Sequence, residues 1–295
     1  MEKLLNYIMV GLANGCIYSL IAIGFVLIYK SSGIFNLAQG AIVILSGYVF
    51  YSFSIQLGIP LVAAILLALV FGALLGFGIQ RIILVRLVGQ PILAIIIITL
   101  ALGEFLKGIM YLGWGADVLV APKLFPEGNI TIFGIAGLDY SRISFLIITF
   151  ILTIFFAIFY NRTKTGLAMK ATSDDTIAAA SVGIKVSKVF AVVWIISCVT
   201  AATGGILVTN VMGIHYDVAE LGYKAIAVAL VGGLQSLPGI IIVGPLMGIV
   251  EFLAAAYLDP LVGGGMRDLA PFIILLAVLL VRPYGIFGWE RIERI

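Results

Sequence analysis

The sequence predicts an all-α fold: a polytopic transmembrane helical bundle in one domain over residues 1–295. Three observations carry this. Apolar residues make up 63% of the chain and its mean hydropathy is +1.24. Charged residues make up only 11%, against about 25% in a soluble domain that must cover its surface with them. The apolar residues fall into long runs, and about 20 of them in a row span a hydrocarbon core. The same observations exclude other classes. Disorder needs low hydrophobicity and high charge. The two cysteines, Cys16 and Cys198, lie far apart inside apolar runs, as small membrane-helix residues do, and form no disulfide framework. The net charge of +3 comes from scattered Lys and Arg with no basic stripe, so nucleic acid is not an expected partner.

The apolar segments cover 4–29, 34–56, 60–80, 91–113, 143–161, 188–212, 223–236, 239–257 and 268–282. The first could pass for a secretory signal, with a faint lipoprotein-like Ala13-Asn14-Gly15-Cys16. It runs from Leu4 to Tyr29, however, too long for a signal core of about 7–15 residues, and reads as a retained span. Gly and Pro punctuate the breaks, as at Lys30-Ser31-Ser32-Gly33, Gly58-Ile59-Pro60 and Pro238-Gly239. Segment 223–236 reaches only about 21 Å, short of the ~30 Å core. It reads as broken, re-entrant or steeply packed. If every segment spans, the count is nine and the N-terminus is outside. If one is re-entrant, the count is eight and the N-terminus is inside.

Loop charge orients the bundle, because Lys and Arg concentrate on the cytoplasmic side. Arg81 and Arg86, then Arg162, Lys164, Lys170, Lys185 and Lys188, then Arg282, Arg291 and Arg294 in the tail, mark three cytoplasmic regions. The C-terminus is therefore expected in the cytoplasm. Loop 114–142, where Lys123 and Arg142 meet Asp117, Glu127 and Asp139, reads as extracytoplasmic, as does 213–224 with Asp217 and Glu220.

Glycine is abundant, at 34 residues. In lipid, small residues let helices approach closely, and Gly72-x-x-x-Gly76, Gly204-Gly205 and Gly244-x-x-x-Gly248 suit that role. Two Gly-interrupted segments, 33–47 and 232–248, hint at an internal repeat of the transporter kind. Chemistry-bearing motifs are absent: there is no CxxC, HExxH, Walker A or GxSxG, and the single histidine, His215, sits in a loop. No metal or cofactor is expected, and uphill work would have to draw on a partner or an ion gradient.

The loop after segment 143–161 is the most informative. Ser173 is a suitable N-cap, and Asp174 and Asp175 suit the positive end of a helix. Ala178, Ala179 and Ala180 are strong helix formers, and Gly183 is a natural terminator. A short helix with a small, flat Ala face results, suited either to docking in a groove or to packing on its own bundle.

The stretch from Gly166-Leu-Ala-Met-Lys170 through Asp174-Asp175 to Ala178-Ala-Ala-Ser-Val-Gly183-Ile184 resembles the cytoplasmic coupling loop of ABC-importer permeases, in particular the branched-chain amino acid permease family. Three further segments agree, in order along nearly the whole chain. Phe35-Asn36-Leu37-Ala38-Gln39-Gly40 resembles that family's Asn-Phe-Ala-x-Gly element. Gly232-Gly-Leu-Gln-Ser-Leu-Pro238-Gly239 resembles its Gly-Gly-x-Gly-Ser-x-x-Gly segment. Arg282-Pro-Tyr-Gly285-Ile-Phe-Gly288 resembles its Arg-Pro-x-Gly-Leu-x-Gly terminus. Gln235, where the family often has Gly, and His215-Tyr216-Asp217, where a Pro is common, are departures.

The resemblance implies an inner-membrane permease domain with a coupling loop over 162–187. Gly166, Lys170, Asp174, Asp175, Ala178, Ala179, Ala180 and Gly183 would dock on an ATPase subunit. It also implies a second homologous permease subunit, two cytosolic ATP-binding subunits and an extracytoplasmic substrate-binding protein, in a lipid bilayer. The chain itself would catalyse nothing covalent. Urea or a short amide is the alternative cargo within the family, and a self-contained secondary transporter is the competing class.

Four buried-segment polar residues bear on that choice. Asn36 and Gln39 share a helix face and read either as pathway residues or as a cap and interhelical glue. Glu104 has Lys107 three residues on as a local partner. Glu251 has no basic neighbour in sequence, with Arg267 the candidate across the fold, and reads as a structural or a pathway residue. Asn14, Tyr18 and Ser19 read as interhelical hydrogen-bonding groups.

Overall fold

The computed structural model describes residues 2–87, 90–125, 128 and 140–288. Glu127, Asp139, Arg291 and Arg294 lie outside the described residues. Among the described residues every regular element is helical, apart from one isolated bridge between Leu119 and Ile214. The helices are α1 (Glu2–Ser32), α2 (Gln39–Tyr51), α3 (Leu61–Gly78), α4 (Ile92–Trp114), α5 (Tyr140–Arg162), α6 (Lys164–Asp174), α7 (Thr176–Ser181), α8 (Val186–Met212), α9 (Leu221–Gly232), α10 (Leu237–Tyr257), α11 (Asp259–Val262) and α12 (Met266–Val281).

All nine apolar segments become helices, but they are not equivalent. Among the described residues six helices are long and apolar enough to cross a membrane: 3–32, 61–87, 93–114, 142–162, 186–212 and 237–257. The other three are shorter. The α9 helix has 12 residues, about 18 Å at 1.5 Å per residue, in keeping with the short segment 223–236. The α2 helix has 13 residues, extended by a π-helical turn over Ser52–Gln56, and α12 has 16.

Burial sorts the helices into layers. The α1 helix is the axis, with Ile17 to Ile28 almost wholly enclosed, and α2, the C-terminal half of α8, and α9 complete the interior. The outer helices turn apolar side chains outward: Val62, Leu66 and Leu74 on α3, Leu93 and Phe105 on α4, Phe150 and Ile158 on α5, Leu276 and Leu280 on α12. In water such a surface would aggregate; in lipid it is the solvated face.

Small residues set the close approaches. The α1 and α10 helices run antiparallel, with Gly11 against Gly248 and Gly15 against Gly244. One step further on, the Ser19 hydroxyl donates to the Ile240 carbonyl at 2.8 Å. Any Cβ on those glycines would collide with the facing backbone or with Ser19. The same device joins α3 to α8, where Gly72 meets Cys198 and Ala202 and Gly76 meets Trp194, and joins α2 to α8, where Gly47 and Gly205 lie together. The packing role expected for Gly72, Gly76, Gly205, Gly244 and Gly248 is what the structure shows.

The two glycine-interrupted segments are built alike. After α1 the chain turns at Gly33 (φ +67°), and after α9 at Gly233 (φ +93°). Each then runs a few non-helical residues and starts a new helix inside the bundle: α2 opens beside Ser197 of α8, and α10 has Ile240 at the level of Ser19. The two ends of the bundle are also distinct. Tyr7 near the start of α1 stacks edge-on with Tyr257 at the end of α10. Lys30 at the other end of α1 sits 4.1 Å over the Tyr160 ring, beside α6. The beginning of α1 and the α6–α7 segment therefore lie at opposite ends.

Replacing Gly15 with Leu should overpack the α1–α10 contact and cost about 1–3 kcal/mol. The expected outcome is a lower unfolding midpoint for the detergent-purified chain, while Gly78→Leu, with open space around it, leaves the midpoint within error.

Candidate functional site

Three polar constellations stand out, one at an end of the bundle and two inside it. At the end, α6 follows α5 with a single corner residue between them. Thr163 turns that corner, its hydroxyl accepting from the Gly166 N–H at 3.0 Å. Gly166 presses against the backbone of Tyr160 and Phe159, where no side chain fits. The α6 helix buries Gly166, Met169 and Thr172. Lys170 donates to the Asn161 side chain at 2.9 Å and lies 5.1 Å from the centre of the Tyr160 ring, which Lys30 also approaches.

Here the structure corrects the sequence reading. One capped helix beginning at Ser173 was expected, but Ser173 lies inside α6 and Asp174 is its last residue. The cap is Asp175, whose Oδ1 accepts from the N–H groups of Ile177 and Ala178 at 2.8 and 2.9 Å. The physical reason is that Thr163 already starts a helix that runs through Lys170, so the chain breaks later, at the extended Asp175. The terminator is where expected. Gly183 (φ +89°) donates to the Ala180 carbonyl, and Ile184 to that of Ala179, which is the Schellman closure. The resulting α7 is six residues long. Ala179 is 3% exposed and seats α7 on the bundle, whereas Ile177 is 83% exposed, and Ala178, Ala180 and Val182 are also open. The outward face is therefore not the full alanine face.

In the interior, Asn36 and Gln39 are fully enclosed. The Asn36 Nδ2 donates to Gln39 Oε1 at 2.9 Å, and its Oδ1 accepts from the Ala38 N–H at 3.2 Å. Gln39 Nε2 donates to the Ser197 carbonyl at 3.3 Å, and the Ser197 Oγ lies 3.1 Å from both Gln39 Oε1 and the Gly24 carbonyl. Gly24 leaves room for the Gln39 amide, which a Cβ there would strike. Helices α1, α2 and α8 are thus joined by one amide network.

The second interior cluster forms around Glu251 on α10, which is wholly buried. Its Oε2 accepts from the Tyr18 hydroxyl at 2.6 Å, and its Oε1 accepts from Lys224 of α9 at 2.8 Å and from Arg267 Nε of α12 at 3.2 Å. Lys224 also pairs with Asp268 at 2.8 Å. Two cations and two anions balance, as burial requires, because an unpaired charge at membrane depth is costly. Arg267 is the partner expected from sequence. Lys224 is a participant that sequence reasoning missed, since 27 residues separate it from Glu251 and only the fold joins them. Tyr18 and Ser19 bond between helices as expected, whereas Asn14 bonds to Val10 of its own helix. Glu104 and Lys107 form the expected local pair at 2.9 Å.

The tail turn meets the segment that begins at Gly232. The tail turn at Gly285 (φ +80°) packs on Leu230 and Gly233, and Ile286 donates to the Val231 carbonyl at 2.8 Å. The final turn thus completes the C-terminal end of α9, where helical carbonyls lack partners of their own. No group of three or more His, Cys, Asp or Glu able to hold a metal occurs among the described residues.

With this geometry in view, comparison with known proteins is informative. A family model for the permease component of branched-chain amino acid transport systems matches residues 7–281. The high-affinity branched-chain amino acid transport system permease protein LivH of Escherichia coli (strain K12) is 30% identical over 97% of this chain and 96% of its own. The corresponding permease protein BraD of Pseudomonas aeruginosa is 27% identical over 100% and 98%. A probable LivH of Methanocaldococcus jannaschii is 29% identical over 96% and 94%. Among solved structures, PsaBC from Streptococcus pneumoniae in complex with Fab aligns at a TM-score of 0.48 with 14% identity, over 95% of this chain and 91% of that one, a likeness too remote to bear on function. An all-helical chain with an apolar outer face, matched by that family model from its first helix to its last, belongs to the permease-component family of branched-chain amino acid transport systems.

Proposed function

We propose that this chain is one permease domain over residues 1–295, the membrane subunit of an importer that moves branched-chain amino acids by alternating access. It spans the inner membrane several times. Partner ATPases supply the energy: two cytosolic ATP-binding subunits, beside a second homologous permease subunit and an extracytoplasmic substrate-binding protein. The observation that carries this reading is α7, a helix held at one end of the bundle by a cap, a terminator and one buried alanine, with Ile177, Ala178, Ala180 and Val182 left open. A helix this short would not persist alone, so its fixed attachment makes it a lever rather than a linker.

In this reading the α6–α7 end faces the cytoplasm, in keeping with its Arg and Lys. The C-terminus lies on the same side and the start of α1 lies outside. Each residue of the coupling segment then has a task. Gly166 and Lys170 fix α6 to α5. Asp174 closes α6, Asp175 starts α7 and Gly183 ends it. Ala179 seats the lever, and Ala178 and Ala180 meet the ATPase. Asn36, Gln39 and Glu251 line the substrate route, which would open where the amide network and the charge cluster now close the bundle. A urea carrier has no observation in its favour.

Ala178→Arg should leave insertion and folding intact, because the position is open, yet reduce ATP-dependent leucine uptake by the reconstituted importer about tenfold, the effect of about 1.4 kcal/mol at a contact. Uptake within twofold of the parent would remove α7 from the ATPase contact. Gln39→Leu should strand the Asn36 and Ser197 groups and lower both stability, by about 1–3 kcal/mol, and uptake. Unchanged transport kinetics would take Gln39 out of the route.

A further inference from the structure

The Glu251 cluster is not symmetrical in its exposure. Glu251 and Lys224 form its floor, the first wholly buried and the second nearly so, with Tyr18 bracing the carboxylate from α1. Arg267 and Asp268 form its rim, with side chains 45% and 77% exposed. Each rim residue spends only part of its bonding capacity inward. Arg267 uses Nε toward Glu251 and stacks its guanidinium 4.8 Å over the Phe252 ring. Among the described residues no partner takes its two terminal nitrogens. Asp268 uses Oδ1 toward Lys224, and its second oxygen has no partner among the described residues.

The rim therefore presents one free guanidinium edge beside one free carboxylate oxygen. Both are fixed from beneath, the arginine by an aromatic face and a buried acid, the aspartate by a buried lysine. A guanidinium edge matches a carboxylate in two-point geometry, and a free carboxylate oxygen matches an ammonium. Apolar side chains flank the pair in sequence on both sides: Leu258, Leu261 and Val262 before it and Leu269 after it, all exposed. Gly263, Gly264 and Gly265 lie between, with φ of +92°, +114° and +88° and open space around each. No packing demands these glycines; their positive φ does, and the turn they make carries the chain from α11 into α12.

We propose that Arg267 and Asp268 form a head-group site for a zwitterionic α-amino acid. The carboxylate lies on the Arg267 terminal nitrogens, the ammonium on Asp268, and the aliphatic side chain against the 258–262 and 269 residues. The inference rests on the reading of this chain as an amino-acid permease and names residues that would select its cargo. An uncharged amide such as urea offers neither charge and would leave the two rim groups unmatched. The charge sum also favours the zwitterion. The cluster is neutral before binding and stays neutral after it, so a bound substrate adds no net charge to the buried pair beneath.

The test uses the complete importer, with its ATPase, partner-permease and binding-protein subunits, in proteoliposomes and in nanodiscs. Leucine uptake by the parent complex checks the permease reading alone; if the parent does not move leucine, that reading fails before the rim is tested. With transport established, diazirine-bearing leucine is photolysed on the unaltered complex and labelled peptides are mapped. Labelling within 257–269, displaced by excess leucine and not by urea, supports the site. Labelling elsewhere only overturns it. Arg267→Gln is then expected to lower uptake at least tenfold and to abolish that labelling, with Arg267→Lys recovering part of both. If Arg267→Gln and Asp268→Asn both keep uptake within twofold, the rim is structural and the proposal falls. If Arg267→Gln fails to assemble, the mapping on the unaltered complex decides by itself.

Discussion

Helices in a bilayer have no hydrophobic drive to meet, because lipid tails are as apolar as leucine; what joins them is close backbone contact and shared hydrogen bonds. The structure depends on that constraint at the α1–α10 seam. Gly11 and Gly15 on one helix and Gly244 and Gly248 on the other bring the backbones together. The same proximity lets Ser19 reach the Ile240 carbonyl and Tyr18 reach Glu251. Widen the seam and both polar bridges are lost with the packing.

The two interior networks follow one rule: each is answered by other helices. Gln39 touches α8 and reaches past Gly24 of α1, and Glu251 draws on α1, α9 and α12. Such networks are costly when half made, so they fix how the helices sit. They are also the contacts that a change of state must break and remake. The bundle has packing through its glycines, which tolerates little movement, and bonding through these networks, which can be exchanged. The α7 segment adds a third kind of contact, outward and unfinished, at the opposite end from the Glu251 cluster.

Much of this was legible in the chain, for physical reasons. Hydropathy located nine of the twelve described helices, because both the lipid-facing layer and the dry interior demand long apolar runs. The Glu104–Lys107 pair was legible because its partners are one helical turn apart, and Gly183 because a helix must end in a conformation that glycine favours. What sequence hid was pairing at a distance. Lys224 looks like an ordinary residue at a helix start until α9 and α10 lie side by side. The α7 cap was misplaced by two residues because Ser173 and Asp175 are both good caps, and Thr163, by starting α6, decided between them. The contact of Gly285 with Gly233 joins segments that reading along the chain treats separately. The small residues Gly11 and Gly15 were overlooked among the apolar residues of the first span, although their spacing is that of Gly244 and Gly248.

The α1–α10 seam has a consequence for biogenesis. The most enclosed helix has a chief neighbour that is synthesised more than two hundred residues later. In the interval Tyr18 and Ser19 have their eventual acceptors, Glu251 and the Ile240 carbonyl, not yet made. The α1 helix therefore cannot take its final place until α10 has been made. Mutations late in the chain should then strand the early part as a substrate for membrane proteases.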